Sequence, residues 1–339
     1  MSEPLLSVRD LSVSFHGARR AQALSNIDLD LMPGQVLGLL GESGSGKSVT
    51  LRTLLRLHPA STTRISGSIR VAGQDVLSLK PGALDAYRGK VASMVFQEPG
   101  LAFDPVYTIG QQIGECLRVH EGSDRRAAQA EALRMLERVQ IPQARRRLDA
   151  YPHELSGGMR QRAMIALALA CKPRLLLADE PTTALDATVQ IQILLLLREL
   201  QRDLGLSIIL VTHDLGAAVE VADRISVMYA GHIVETGSAR QIVRDPHHPY
   251  TVGLLRSRAE GAMDRGGRLQ TIPGSPPDLA NRPAGCPFAP RCFLAEERCR
   301  RERPPLGAVG DGHQAACWRA EEAASAFKDG QIRGALESA

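Results

Sequence analysis

The sequence predicts an α/β fold that combines a mainly parallel sheet with a small antiparallel sheet and a helical insert. Short apolar runs, each followed by a polar or glycine-rich turn and then by a helical pattern, predict the parallel strands. Alternation of apolar and polar residues near the N-terminus predicts the antiparallel strands. Between about residues 99 and 160 strand patterns are missing and the composition favours helices, which predicts the insert.

The predicted strands can be placed in chain order. Two apolar runs that flank Gly231 predict a β-hairpin. Residues 125–140, within the insert, have the composition of a helix. The alternating segments are Leu5–Val8, Leu11–Phe15, Ile27–Leu31 and Ile65–Val71, and the apolar runs are Val36–Leu40, Leu175–Ala178 and Ser207–Val211.

The composition excludes several classes of protein. Of the 339 residues, 44% are hydrophobic and 23% are charged, which is typical of a folded globular chain. A net charge of +4 and an aromatic content of 4% are too low to indicate a nucleic-acid-binding protein. The apolar runs stop short of the ~18 residues that a membrane span needs. The first residues have no basic n-region and no apolar h-region, so we do not expect secretion.

The character of the chain changes after residue 255. Glycine, proline and arginine become frequent, apolar periodicity is lost, and four of the six cysteines lie close together in the sequence. We therefore place a domain boundary near residue 260, which separates residues 1–260 from a Cys-rich C-terminal extension of residues 261–339. Residues 321–339 favour either one alanine-rich helix or a frayed end.

Residues 41–48 read Gly-Glu-Ser-Gly-Ser-Gly-Lys-Ser and fit the pattern G-x-x-x-x-G-K-[ST] at every fixed position. The segment follows a predicted strand and opens a helix, where backbone N–H groups and the helix dipole favour phosphate. We expect Lys47 to reach the β- and γ-phosphates of ATP and Ser48 to coordinate Mg²⁺. The expected nucleotide-binding residues of this segment are Gly41, Ser43, Gly44, Ser45, Gly46, Lys47, Ser48 and Val49.

Two acidic residues end the apolar run that starts at Leu175. Asp179 would assist Mg²⁺ binding from the end of the sheet. Glu180 lies one residue further on, where a carboxylate can polarise a water molecule for in-line attack. The alternative is a strand that simply meets a solvated turn.

Residues 155–162 read Leu-Ser-Gly-Gly-Met-Arg-Gln-Arg, and here the sequence resembles the ATP-binding subunits of ABC transporters. The family signature is L-S-G-G-Q, from which Met159 departs. The extended form with methionine resembles the dipeptide and oligopeptide importer branch. The resemblance covers residues 5–255. The alternative for Ser156 is an ordinary helix N-cap.

The resemblance implies a P-loop NTPase fold of the ABC type, with a RecA-like core, an antiparallel β-subdomain and a helical subdomain. Gln97 matches the glutamine that contacts Mg²⁺ and the attacking water. His213 matches the histidine that touches the γ-phosphate. Phe15 resembles the aromatic residue that stacks on adenine; the alternatives are an ordinary strand residue, or His16 in that role. The implied catalytic residues are Glu180, His213, Gln97 and Lys47, and the implied magnesium ligands are Ser48, Gln97 and Asp179.

The resemblance also implies a shared site between two subunits. Ser156, Gly157 and Gly158 would bind the γ-phosphate of a nucleotide held by the partner subunit. The segment Ala184–Asp186 matches the family's D-loop, which adds Asp186 to the nucleotide-binding residues.

The implied function is the hydrolysis of ATP to power import of dipeptides or oligopeptides through a membrane permease. The implied partners are a second ABC ATPase in a heterodimer, two transmembrane permease subunits and a periplasmic or extracellular solute-binding protein. The chain would lie on the cytoplasmic face of the inner membrane and bind no nucleic acid.

The alternatives are import of another solute, such as nickel or glutathione, and a soluble ABC-type ATPase of DNA repair or translation. The last would need coiled-coil insertions or tandem cassettes, for which the sequence has no pattern.

Residues 245–251, 272–274 and 285–288 resemble the C-terminal extension of peptide-importer ATPases. The cysteines of this region follow the spacing C-x₅-C-x₆-C-x₁₇-C. The resemblance implies a [4Fe–4S] cluster; structural zinc and free thiols are the alternatives. The four arginines among the cysteines would form a solvated face or offset thiolate charge. The cysteines are Cys286, Cys292, Cys299 and Cys317, and the arginines are Arg291, Arg298, Arg300 and Arg301.

Overall fold

The computed structural model describes residues 3–17, 20–183, 185–259, 272–280 and 282–329. The strands are β1 (Leu6–Phe15), β2 (Ala21–Leu31), β3 (Val36–Leu40), β4 (Thr63–Val71), β5 (Gln74–Asp75), β6 (Ala92–Val95), β7 (Leu175–Asp179), β8 (Ser207–Thr212), β9 (Arg224–Tyr229), β10 (His232–Ser238), β11 (Gly307–Gly310) and β12 (His313–Ala315). The helices are α1 (Lys47–Leu54), α2 (Pro81–Lys90), α3 (Pro99–Ala102), α4 (Ile109–Glu121), α5 (Arg125–Arg138), α6 (Ala144–Arg147), α7 (Gly157–Leu169), α8 (Ala187–Leu204), α9 (Leu215–Val221), α10 (Ala239–Arg244), α11 (Pro249–Ala259), α12 (Glu297–Arg301) and α13 (Ala320–Asp329).

The larger sheet of the described residues has the strand order β11-β12-β10-β9-β3-β8-β7-β6. Strands β6, β7, β8, β3 and β9 run parallel to one another. Every residue of β3, β7 and β8 is buried, because the sheet is covered on both faces and the strands need apolar residues throughout. The predicted parallel sheet is therefore confirmed.

The smaller sheet has the strand order β2-β1-β4-β5 and is antiparallel. The two predicted segments Leu5–Val8 and Leu11–Phe15 are one strand, β1, so the predicted break between them is wrong. The polar residues Arg9 and Asp10 interrupt the alternation, but the strand continues through a bulge at which Asp10 has φ = 51°. A bulge shifts the register without ending the strand.

Helices α3 to α6 lie within the predicted helical insert, and α7 begins at its end and continues to Leu169. Thr108 accepts a hydrogen bond from the Gln111 amide and caps α4, and Asp124 accepts one from the Ala127 amide and caps α5. Apolar residues of α4, α5 and α7 share one buried cluster with residues on one face of the parallel sheet. The insert is thus packed onto the sheet, and α7 leads from it directly into β7.

The C-terminal extension adds two strands that no sequence pattern indicated. β12 pairs antiparallel with β10, and β11 pairs with β12, so both extend the larger sheet. β11 contains two glycines and is mostly exposed, which leaves no alternating apolar pattern to detect. Its pairing partner, rather than its own sequence, holds it as a strand.

Glu235 of β10 fastens the extension to the sheet. Its carboxylate is fully buried and accepts hydrogen bonds from the backbone amides of His247 (2.7 Å) and His248 (3.0 Å). The ring of His313 in β12 lies 2.9 Å from the same carboxylate. A buried carboxylate requires such partners, so these contacts join two chain segments, residues 247–248 and β12, to β10.

Among the described helices, none has the length and apolar character that crossing a bilayer requires.

The buried ring of His248 predicts a loss of stability in acid. Burial lowers its pKa from the ordinary 6.5 to about 4. The His248 ring binds a proton below pH 6.5 in the unfolded chain, but only below about pH 4 in the folded chain. The contribution of this ring to the free energy of unfolding is therefore complete above pH 6.5 and decreases as the pH falls from 6.5 to about 4. We predict that a change from pH 7 to pH 5 lowers the free energy of unfolding by about 2 kcal/mol through this ring, measured by urea denaturation.

The control for this prediction is His248→Asn. In the native chain Nδ1 of His248 accepts a hydrogen bond of 3.1 Å from the Tyr250 amide, and the asparagine oxygen can take its place without titrating. The variant should show a shallower pH dependence between pH 7 and pH 5. An unchanged dependence would show that His248 does not carry the effect.

Candidate active site

The loop of residues 41–46 joins β3 to α1 and folds tightly against the neighbouring strands. A Cβ atom on Gly41 would lie 2.2 Å from the Met228 carbonyl oxygen of β9. Gly46 has φ = 105°, and a Cβ there would lie 2.7 Å from Leu24 of β2. Only glycine fits at these two positions. The loop can therefore turn its backbone amides around a small anion at the start of α1.

Lys47 lies buried beneath this loop. Its Nζ donates hydrogen bonds to the carbonyl oxygens of Gly41 (2.7 Å) and Glu42 (3.0 Å). Burial lowers the pKa of Lys47, while the charges of Glu180 and Asp179 oppose that shift. The ammonium group is thus held inside the arc of the loop, where a cation can meet phosphate oxygens.

Ser48 and Asp179 meet at the end of the sheet. The Ser48 hydroxyl donates a 2.8 Å hydrogen bond to Oδ1 of Asp179. Burial raises the pKa of the Asp179 carboxyl, and the Ser48 hydrogen bond and the charge of Arg52 act against this. Hydroxyl and carboxylate oxygens are hard ligands of the kind that Mg²⁺ prefers, so these two side chains fit a magnesium ion.

Three side chains converge on Oε2 of Glu180. Gln97 donates to it from Nε2 (3.3 Å), Thr183 donates from Oγ1 (3.0 Å), and Nδ1 of His213 lies 3.2 Å away. Glu180 has φ = 45°, an unfavourable conformation for a residue with a side chain, as is common at functional sites. The structure thus brings together the predicted Glu180, Gln97 and His213, and it adds Thr183, which no sequence pattern indicated.

Phe15 is the last residue of β1 and packs, like Val49 of α1, against the same buried cluster. Its ring packs edge-on against His58, with 5.2 Å between ring centroids. Nε2 of His58 in turn lies 3.3 Å from the carbonyl oxygen of Val49. Phe15 is half-buried and therefore keeps part of its ring open beside the helix that starts at Lys47. His16, the proposed substitute, is exposed and turns towards Ser14, 3.2 Å away.

The signature segment faces solvent at the start of α7. Ser156 caps its own helix by accepting a 3.3 Å hydrogen bond from the Met159 amide, which is the N-cap arrangement. Ser156 and Gly157 are exposed, and Gly158 lies against Val189. No hydrogen bond between the described residues joins this segment to the loop of residues 41–46.

Asp186 has a similar local role at the start of α8. Its carboxylate accepts a 3.0 Å hydrogen bond from the Val189 amide and caps the helix. Ala184, the first residue of the predicted D-loop, lies outside the described residues.

The four cysteines of the extension form no disulfide and lie in a hydrogen-bonding environment. The backbone amide of Cys286 donates to the carbonyl oxygen of Cys299 (2.8 Å), which joins the first cysteine to the third. Sulfur atoms accept backbone N–H bonds in Cys292 (from Leu294, 3.4 Å) and in Cys317 (from Arg319, 3.3 Å). Within the described ranges, no group of three or more histidine, cysteine, aspartate or glutamate side chains is arranged to hold a metal ion.

Arg291 is not part of a solvated face, so that expectation is wrong for this residue. Its side chain is 5% exposed and forms an ion pair with Glu42 in the 41–46 loop. The expectation holds for its neighbours: Arg298, Arg300 and Arg301 are exposed. Local sequence could not separate the four, because burial of Arg291 depends on contacts with distant segments.

The glycine loop over a buried lysine, the Ser48–Asp179 pair and the Glu180 cluster lie at one edge of a parallel sheet. This arrangement, with a separate helical insert that carries an exposed signature segment, defines a P-loop ATPase of the ABC class.

Comparisons with known proteins agree with this class. The family model for the ABC transporter matches residues 24–183, and the model for the C-terminal region of the oligopeptide/dipeptide transporter matches residues 234–299. A Brucella melitensis protein named "Putative peptide import ATP-binding protein" is 49% identical over 335 residues, which is 95% of this chain and 99% of that protein. A Brucella abortus protein with the same description is 50% identical and covers 93% of this chain and 94% of its own length.

Solved structures give the same result. The dimeric ATP-binding cassette MJ0796 bound to ADP and phosphate has a TM-score of 0.62 at 27% identity, covering 69% of this chain and 99% of its own. CbiO1 from Clostridium perfringens, part of an ABC transporter complex, has a TM-score of 0.61 at 25% identity and covers 71% of this chain and 91% of its own length. The chain belongs to the ABC transporter family, as an ATPase of the branch that carries the oligopeptide/dipeptide transporter C-terminal region.

We predict that Glu180→Gln retains ATP binding but lowers ATP hydrolysis by at least about 100-fold, because an amide is a far weaker proton acceptor than a carboxylate. The measurement is phosphate release by the full chain assembled with its partner subunits. Glu137→Gln, an exposed residue of α5 with the same charge change, is the control. Near-normal turnover in Glu180→Gln would remove Glu180 from the hydrolysis site.

Proposed function

We propose that this chain is the ATP-hydrolysing subunit of an importer of dipeptides or oligopeptides. The observation that carries the ATPase part is the convergence of Gln97, Thr183 and His213 on one oxygen of Glu180. The peptide part is supported by the match of residues 234–299 and by the names of the Brucella relatives.

Glu180 acts as the general base that orients the attacking water. Gln97 and His213 lie on its carboxylate, so both can position the water and the γ-phosphate at that oxygen. Lys47 supplies positive charge to the β- and γ-phosphates when a nucleotide replaces the loop carbonyls it now contacts. The catalytic residues are thus Glu180, His213, Gln97 and Lys47.

The remaining nucleotide contacts follow from position. Ser48 and Asp179, with Gln97, hold Mg²⁺, which neutralises phosphate charge when bound. Phe15 stacks on the adenine beside α1. The backbone of the glycine loop binds the phosphates through Gly41, Ser43, Gly44, Ser45, Gly46, Lys47, Ser48 and Val49.

The signature segment binds the nucleotide of a second subunit. Ser156 and Gly157 are exposed, and no hydrogen bond among the described residues joins them to the glycine loop of their own chain, which supports a role across an interface. The MJ0796 structure is described as dimeric. We infer a heterodimer with a second ABC ATPase, in which Ser156, Gly157, Gly158 and Asp186 complete the partner's site. Two transmembrane permease subunits and a periplasmic or extracellular solute-binding protein complete the assembly, and this chain lies on the cytoplasmic face of the inner membrane.

The four cysteines of the extension hold a [4Fe–4S] cluster. Backbone N–H bonds to the sulfurs of Cys292 and Cys317 would stabilise thiolates. The choice of a cluster over zinc or free thiols rests on the cysteine spacing C-x₅-C-x₆-C-x₁₇-C and on its resemblance to the extension of peptide-importer ATPases.

We predict ATP-dependent uptake of a labelled dipeptide by proteoliposomes that contain this chain and its partner subunits. Uptake should fall by at least about 100-fold with Glu180→Gln, because transport is driven by hydrolysis. The Glu137→Gln variant is again the control. Uptake of nickel or glutathione without uptake of any dipeptide would contradict the proposed substrate class.

We predict that chain purified without oxygen contains iron and sulfide and is brown. Cys286→Ser combined with Cys292→Ser should remove both iron and colour, because two ligands are lost. Metal analysis provides the measurement, and Cys116→Ser, a cysteine of α4, is the matched control. Zinc without iron in the native chain would show that the cluster assignment is wrong.

A further inference from the structure

Glu42 is the residue through which later parts of the chain contact the glycine loop, residues 41–46. Its carbonyl oxygen accepts hydrogen bonds from Ser45 N (3.2 Å) and from Nζ of Lys47 (3.0 Å) within the loop. Its amide donates a 2.8 Å hydrogen bond to the hydroxyl of Tyr250. Its carboxylate pairs with Arg291. These contacts therefore fix the amide, the carbonyl oxygen and the carboxylate of Glu42.

Arg291 donates hydrogen bonds to the Glu42 carboxylate from both terminal nitrogens. Nη1 donates to Oε2 (2.7 Å) and Nη2 donates to Oε1 (3.1 Å), which is the bidentate arrangement. The remaining donors reach the carbonyl oxygens of Pro273 (2.8 Å) and Ile272 (3.3 Å) and the hydroxyl of Tyr229 (3.2 Å). Burial alone would lower the pKa of Arg291, but its hydrogen bonds to Glu42 and Tyr229 raise it. The guanidinium is therefore a fixed, permanently charged clamp.

Aromatic rings hold this clamp in place. The guanidinium carbon lies 5.8 Å from the ring centroid of Tyr229 and 5.9 Å from that of Phe288. The rings of Tyr229 and Tyr250 lie 4.7 Å apart, and Phe288 packs on both. Such contacts leave Arg291 few alternative rotamers, so it presents one geometry to Glu42.

Both external contacts come from the C-terminal part of the chain. Tyr250 and Arg291 fall in the region matched by the C-terminal model, whereas Glu42 falls in the region matched by the ATPase model. The contacts therefore bridge 208 and 249 positions of sequence to reach the same loop residue.

The clamp has an electrostatic consequence for nucleotide binding. Glu42 places a carboxylate in the same loop that must accept a triphosphate, and an unpaired carboxylate there would repel it. Arg291 neutralises that charge and also fixes the loop before nucleotide arrives, which reduces the entropy lost on binding.

We propose that Arg291 and Tyr250 are positioning residues for ATP binding, which act through Glu42 to pre-form the glycine loop and to cancel its carboxylate charge. The C-terminal extension thus contributes to nucleotide binding through Arg291. This proposal depends on ATP binding alone and is independent of what the transporter imports.

The test is the dissociation constant of the magnesium complex of AMP-PNP, a non-hydrolysable ATP analogue, measured by titration calorimetry on the full chain. Arg291→Ala should weaken binding about tenfold because it leaves Glu42 unpaired. Glu42→Ala should weaken it about threefold. The double variant should resemble Glu42→Ala, because no carboxylate then remains to be neutralised.

Two further variants separate positioning from stability. Tyr250→Phe keeps the packed ring and removes only the hydroxyl that binds the Glu42 amide, and it should weaken binding about threefold with little change in melting temperature. Arg298→Ala is the matched control, since Arg298 lies in the same extension but stacks on Trp318 at 3.5 Å and pairs with Glu302. It should leave the dissociation constant within twofold of native.

Two results would overturn the proposal. One is native affinity in both Arg291→Ala and Tyr250→Phe, which would make these residues structural only. The other is a double variant whose loss equals the product of the two single losses, which would show that Arg291 does not act through Glu42. If Arg291→Ala fails to fold, Tyr250→Phe decides alone. Peptide transport enters none of these measurements, so their outcome does not depend on the substrate.

Discussion

The register of the parallel sheet is the constraint on which the site depends. Val211 of β8 lies opposite both Leu39 of β3 and Asp179 of β7, so the three strands end within one residue of one another. Val95 of β6 lies opposite Ala178, and two residues beyond each of these come Gln97 and Glu180. Residues that are far apart in sequence thus meet at one edge because the strands that carry them are parallel and in step. A slip in this register would separate the catalytic carboxylate from its partners.

Much of this arrangement could be predicted from the sequence, because the motifs are local. The glycine loop, the acidic pair and the signature segment each consist of neighbouring residues in a characteristic strand or helix context. The apolar strands were predicted well, since a fully buried strand needs an unbroken apolar run. Thr183 could not be recognised, because its role depends on the conformation of Glu180 three residues earlier.

The features that could not be predicted depend on distant contacts. The break predicted within β1 was wrong because a bulge carries the strand past two polar residues. β11 and β12 have no alternating pattern, and pairing with β10 holds them in place. Glu235 and Arg291 are charged residues in unremarkable sequence surroundings, and only the folded chain shows that each is buried with its partners.

The central claim is that a nucleotide lies at the sheet edge formed by β3, β7 and β8. The most direct measurement is photo-labelling of the full chain with an ATP analogue that carries a reactive group on its γ-phosphate, followed by mass spectrometry of the peptides. The expected result is labelling of the peptides that contain Lys47 and His213, abolished by excess ATP. Labelling confined to other peptides, or labelling that ATP does not compete away, would contradict the claim.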